Sequence, residues 1–144
     1  MTMLKIEPNV VDSTANFSFG NVTVSSIQTT TGTILDGILE KNYNIPGVLK
    51  ATTGTSRWWV PTNLVITKVI CGVNTAPTGS SVNISILKNG LSVTSTSVTD
   101  GSSTSSSNVS LSLTAGDYIT VDITQVGSGT PGSDLVVTFL YHRT

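Results

Sequence analysis

The run SVNISILKNG, which ends on Asn89-Gly90, limits the fold more tightly than any other stretch of the 144-residue chain. Val82, Ile84 and Ile86 alternate with Ser81, Asn83 and Ser85, the period of two that puts one face of a strand in a core and the other in water. Asn and Gly both tolerate the positive φ that a two-residue type I′ turn requires, so the chain is expected to reverse there and return through Leu91 to Val98. A hairpin with one apolar face must bury that face against another layer.

The rest of the chain supplies such layers. In Leu64 to Val73, the residues Val69, Cys71 and Val73 share a phase, and Ile66 falls out of it across Lys68, which reads as a β-bulge. Val109, Leu111 and Leu113 alternate, Thr114-Ala115-Gly116-Asp117 turns the chain, and Ile119, Val121 and Ile123 form an inward row opposed by Tyr118, Thr120 and Asp122. Gly127 to Ser133 is another turn cluster, and the final run Leu135 to Tyr141 is apolar on both faces, as in a strand internal to a sandwich or pressed on a second subunit. After Asn89-Gly90, Leu91, Val93, Ser95 and Ser97 give a weaker phase that fades into TDGSSTSSSN (99–108), expected as a flexible surface loop. Short strands separated by Gly, Pro, Asn and Asp turns indicate an all-β antiparallel sandwich or barrel. The expected core comprises Val69, Val73, Val82, Ile84, Ile86, Leu113, Ile119, Val121, Ile123, Val137 and Phe139.

Upstream, residues 1–12 show no clear period and contain Pro8, which bars a central strand, so they read as an extended arm. NFSFGNVTVSSI (16–27) holds two alternating pairs, Phe17/Phe19 and Val22/Val24, around Gly20-Asn21. ILDGILEKNYNIPGVLK (34–50) is the only stretch with helical spacing. Gly37 interrupts it and Pro46 ends it, so strand and loop is the preferred reading over a short helix. ATTGTS (51–56) reads as a linker. The expected division is an N-terminal arm with lead-in strands over 1–55 and a sandwich over 56–144.

Composition narrows function by exclusion. Only 10% of residues are charged and the net charge is −1, so no basic field is available to draw nucleic acid or an anionic membrane. Serine and threonine fill the solvated faces instead, which suits sheets better than helix interiors. No apolar run approaches the length of a membrane span, and the N-terminus lacks signal-peptide features; a soluble protein made in a cytoplasm is expected. Cys71, the single cysteine, falls in a strand pattern and is expected as a buried small hydrophobe. His142 beside Arg143 near the C-terminus suits a frayed end better than a general base. Asp100, Asp117, Asp122 and Asp134 read as turn residues whose carboxylates bind nearby backbone N–H groups. The odd spacing of Asp117 and Asp122 sets them on opposite faces of a strand, against a shared acid/base task. No catalytic residue, metal ligand or cofactor is therefore expected. Four Asn-x-Ser/Thr matches are chance in so hydroxyl-rich a chain. Trp58 and Trp59 are a subunit-interface or core anchor, with a glycan-stacking platform as the alternative; being adjacent in a strand, only one of them can face outward.

The stretch RWWVPTNLVITKVICGVNTAPTGSSVNISILKNG, followed after the Ser-rich run by LTAGDYITVDITQVGSGTPGSDLVVTFLY, resembles a β-sandwich domain of tailed-bacteriophage virion proteins, frequent in phages of cyanobacteria. The APTGSS turn, the KNG hairpin, the LTAGDYITVDI strand and the QVGSGTPGSDL turn carry the likeness, over about 85 of 144 residues. The resemblance implies a jelly roll without catalysis, found in head decoration or cement proteins, at tail-fibre ends and in receptor-binding modules. It also implies a homotrimer. Two expectations follow: a decoration protein on the capsid surface of the virion, partnered by the major capsid protein, or a fibre or spike module that recognises a host surface glycan. A chain without a long fibre shaft favours decoration. In that reading Leu4, Ile6, Val10, Val11, Phe17 and Phe19, apolar residues of an arm too short to hold its own core, attach to the shell by adding to a sheet edge.

Overall fold

The computed structural model describes residues 37–144, and every regular element there is a β-strand. In chain order these are β1 (Leu39–Val48), β2 (Trp58–Trp59), β3 (Leu64–Gly72), β4 (Val82–Lys88), β5 (Leu91–Val98), β6 (Thr104–Leu113), β7 (Tyr118–Gln125) and β8 (Ser133–Arg143). They form two antiparallel four-stranded sheets in the orders β1-β8-β3-β6 and β2-β7-β4-β5. The pairs β1/β8, β2/β7, β3/β6 and β4/β5 are those of one long hairpin with its tip at Asn89-Gly90, and successive pairs fall on alternate sheets. Contacts β3/β8 and β4/β7 then complete each sheet. The fold expected from the alternation, an all-β sandwich of antiparallel strands, is present.

The alternating residues explain which faces meet. Every residue named above as core is buried, joined by Leu49, Val60, Leu64, Ile66, Cys71, Val98 and Leu135. The bulge is where the phase slip placed it: both ladders of β3 shift register between Ile66 and Lys68. That extra residue lets Ile66 and Val69 point inward together. Asn89 and Gly90 have φ of 53° and 84°, the pair of left-handed residues that a type I′ turn needs.

Four expectations are corrected. The sandwich begins at Leu39, upstream of Ser56, because β1 pairs along most of its length with β8. Its Pro46 sits in an edge strand, where a missing N–H need not cost a ladder bond, beside a register break and Gly47 at φ 82°. In β5 the inward residues are Thr96 and Val98, since Val82 and Ile84 face Val98 and Thr96; Leu91 and Val93 point outward, 73% and 41% exposed. The second half of the Ser-rich run is strand: Thr104 to Asn108 belong to β6, and Ser105 to Asn108 pair with Cys71 to Lys68. Serine is tolerated there because β6 is an edge strand with one wet face. His142 is in β8 opposite Val65, not in a frayed end. The arm residues Leu4, Ile6, Val10, Val11, Phe17 and Phe19 lie outside the described residues.

Candidate functional site

Two flanks of the sandwich are open, one between β1 and β2 and the other between β6 and β5. The segment 49–57, which contains the run 51–56 expected as a linker, is a strap that closes part of the first. Leu49 is buried and its N–H donates to Gly132 O at 2.9 Å. Thr52 exchanges backbone hydrogen bonds with Ile123 of β7 at 2.8 and 2.9 Å. Gly54 N–H donates to the Asp122 carboxylate at 2.8 Å. A Cβ on Gly54 would run into Val121 O, so only glycine lets the strap lie this close to β7.

The strap delivers the two tryptophans to β2, where alternation separates them. Trp58 faces inward, stacked near-parallel on Phe139 at 6.3 Å and tilted over Tyr141 at 5.3 Å. Trp59 faces outward, 57% exposed, with its ring 5.1 Å from Tyr118. The Arg57 guanidinium lies 4.7 Å from the Tyr118 ring centroid, a cation–π contact. Cation, phenol and indole thus form one outward shelf on the edge of the second sheet. Alternation thus parts the pair as their adjacency requires, with Trp58 packed on the core and Trp59 exposed.

Between β1 and the strap lies a cleft of about 330 Å³ whose wall includes Lys41, Tyr43, Trp58, Arg57 and Val121. Tyr43 is buried, and its hydroxyl donates to Ile119 O at 2.7 Å and accepts from Trp58 N–H at 3.1 Å. This bridges the two sheets and fixes the ring. Burial pushes the Tyr43 hydroxyl up to about 12, so the group stays neutral. Lys41 occupies an inward slot of β1, in register with Phe139, and its Nζ stands 5.8 Å above the Tyr43 ring. The rest of the lining is Ile45, Gly54 and the polar residues Asn42, Asn44, Thr52, Thr53, Thr55 and Ser56, with no carboxylate.

The carboxylates are engaged elsewhere. Asp117 accepts from Thr114 N–H at 2.7 Å and Thr114 Oγ1 at 2.9 Å, from Asn89 Nδ2 at 2.7 Å, and pairs with Lys88 Nζ at 2.9 Å. These bonds, the Thr114 N–H first, hold its carboxyl well below the usual range. It ties the β4–β5 hairpin to the β6–β7 turn. Asp134 is held low in the same way, chiefly by the Gly47 N–H at 2.8 Å, and Asp100 accepts from Gly79 N–H at 3.1 Å. The reading of these aspartates as backbone-binding groups is present in the geometry, although Asp122, Asp134 and Asp100 reach residues distant in sequence. Among the described residues no group of three or more His, Cys, Asp or Glu could hold a metal. Cys71 is fully buried, and burial pushes its thiol up to about 12.

The second flank is a groove of about 550 Å³ lined by Ser95, Thr96, Ser97, Ser105, Ser106 and Ser107 among others, all uncharged. Thr96 and Ser107 hydroxyls bridge the two edge strands at 3.2 Å.

Lys41 and the strap escaped the sequence reading. The pattern LEKNYNI did hold the signal: Leu39, Lys41, Tyr43 and Ile45 share one phase, with a lysine in an inward slot. Comparison with known proteins finds no matching family model and no matching curated protein.

Proposed function

We propose that the chain is a non-catalytic structural protein of a tailed-phage virion, a jelly roll that decorates the capsid as a homotrimer, with the major capsid protein as its partner. The observation that supports this reading is the strand order. Pairings β1/β8, β2/β7, β3/β6 and β4/β5 over two sheets are what a rolled-up eight-stranded hairpin produces, and a jelly roll is what the resemblance implies. Exposed Leu91, Val93, Val136 and Val48 on the strands supply apolar surface for subunit contacts. Attachment is assigned to the N-terminal arm. Deleting residues 2–15 should abolish binding to purified capsids while circular dichroism and thermal unfolding of the sandwich are unchanged. Normal occupancy by the deleted protein would refute arm attachment, and a handful of copies per purified virion, instead of hundreds, would place the protein on the tail.

A second reading, a receptor-binding module for a surface glycan, is favoured by the shelf. Trp59 is a large exposed aromatic set against Tyr118, whose ring also carries the Arg57 guanidinium. The apolar face of a sugar ring stacks on such a surface at little entropic cost.

A further inference from the structure

We infer that the cleft between β1 and the strap, continued over Arg57 onto the Trp59 shelf, is a binding site for an acidic oligosaccharide. The inference rests on the glycan-binding reading, wherever on the virion the protein sits, and adds the chemistry that the sugar must carry.

Lys41 is the first reason. Lys41 sits half-buried in an inward slot of the edge strand β1, in register with the core residue Phe139, with its ammonium 5.8 Å from the Tyr43 ring. Among the described residues Lys41 has no carboxylate partner; the ion pair there is Lys88 with Asp117. Arg57, the other cation of the cleft, is likewise without a carboxylate partner and is spread on Tyr118. Two cations and no anion line one cleft, while the net charge of the chain is −1. The positive potential is therefore local, and it is complementary to an anionic ligand.

The remaining wall selects a sugar over other anions. Thr53, Thr55 and Ser56 of the strap line the cleft with hydroxyls that both donate and accept, as ring hydroxyls require. Arg57 belongs to both the cleft and the shelf. A ligand with its acid group between Lys41 and Arg57 can thus lay a neighbouring ring on Trp59. The strap holds this arrangement in place through Thr52, Gly54 and the Tyr43 bridge, so the site is formed before the ligand arrives.

The test uses the full chain and calorimetric titration with tetragalacturonate and its uncharged counterpart, galactotetraose. Tetragalacturonate should bind at least about fivefold more tightly at low salt, and the preference should shrink as salt is raised. Lys41→Gln and Arg57→Gln should each weaken tetragalacturonate about three- to tenfold and leave galactotetraose unchanged. Arg57→Lys should keep most of the preference for the acid. Trp59→Ala should weaken both ligands by up to about tenfold. Equal binding of the two sugars, indifferent to Lys41 and Arg57, would overturn the inference and leave the glycan reading standing. Binding of neither sugar would remove both. Binding of a poly-glutamate peptide as tightly as tetragalacturonate, unaffected by Trp59→Ala, would reassign the cleft to an acidic peptide and overturn the inference.

Discussion

The two open flanks of the sandwich face the same geometric problem, the loose edges of two sheets, and solve it with different chemistry. On the β1 and β2 side, aromatic rings and a strap close the gap: Tyr43 bridges the sheets, Trp58 stacks on Phe139, and residues 52–54 cover the edge of β7. On the β5 and β6 side, short hydroxyl side chains suffice, with the Thr96–Ser107 bond spanning the edges. Unpaired strand edges invite association with other chains. The first flank blocks part of that edge with its own backbone and leaves a charged cleft. The second remains an uncharged groove, beside the exposed Leu91 and Val93 of β5. The contrast is chemical: one flank carries large aromatic side chains and two cations, and the other carries hydroxyl side chains with apolar residues standing outside a plain edge.

The largest expected effect is at the base of the first flank. Phe139 is fully buried, edge-on to Tyr43 at 5.7 Å and stacked under Trp58. Phe139→Ala should cost about 3–5 kcal/mol by cavity formation, read from urea unfolding. A cost under about 1 kcal/mol would mean that the aromatic cluster is not what holds this flank.

Next comes the strap. Gly54→Ala forces a methyl group against Val121 O, and the expected cost is about 1–3 kcal/mol, with faster amide exchange at Thr52 and Ile123. Gly101→Ala, in the turn between β5 and β6 where nothing lies near a Cβ but φ is 76°, should cost less, about 1 kcal/mol. If the two glycines proved equal, close approach of the strap would not be the distinguishing constraint.

Alkaline pH sharpens the comparison further. Tyr43 is raised from 10.0 to about 12 when folded, so the folded state holds its proton more tightly than the unfolded chain. Stability from this group is complete below pH 10 and is lost as pH rises through about 12. Tyr43→Phe should therefore be less stable than the parent at neutral pH, by about 1–2 kcal/mol for the unpaired Ile119 carbonyl and Trp58 N–H. The gap should narrow above pH 10. Cys71, raised from 9.0 to about 12, adds its own alkaline loss in both proteins and so cancels from the difference. A gap that stays constant to pH 12 would show that the Tyr43 hydroxyl is not buried.

The smallest effect on a single subunit is expected at Leu91. With its side chain mostly in solvent, Leu91→Ser should change unfolding free energy by no more than about 0.5 kcal/mol. Sedimentation would then reveal its role. Weakened self-association would assign the β5 face to the subunit contact, and an unchanged sedimentation profile would remove it from that contact.

The sandwich was legible in the chain because its cues are local. Val82, Ile84 and Ile86 state their face by alternation, Asn89-Gly90 carries its own backbone preference, and the slip between Ile66 and Lys68 marks a bulge without any partner in view. The face of β5 was not legible: two of its three apolar residues, Leu91 and Val93, share a phase, yet pairing with Val82 and Ile84 turns Thr96 and the third, Val98, inward. Low complexity misled in the same way at Ser105 to Asn108, where a neighbouring strand, β3, makes an edge strand of residues with little strand character of their own.

At the candidate site the division is similar. Adjacency alone required Trp58 and Trp59 to part, one in and one out. Which of them stacks on Phe139, and that Tyr118 and Arg57 join the other, depended on the register of β2 against β7. The inward phase of Lys41 was fixed by its spacing from Tyr43 and Ile45. That no carboxylate lines its cleft was decided by the tertiary fold, in which the Asp122 carboxylate accepts from the backbone N–H of Gly54, 68 residues away along the chain. Periodicity is a property of a few neighbouring residues and survives in the sequence. Register, strap placement and the pairing of charges are set by contacts between residues far apart along the chain, so they exist only once the two sheets have closed on each other.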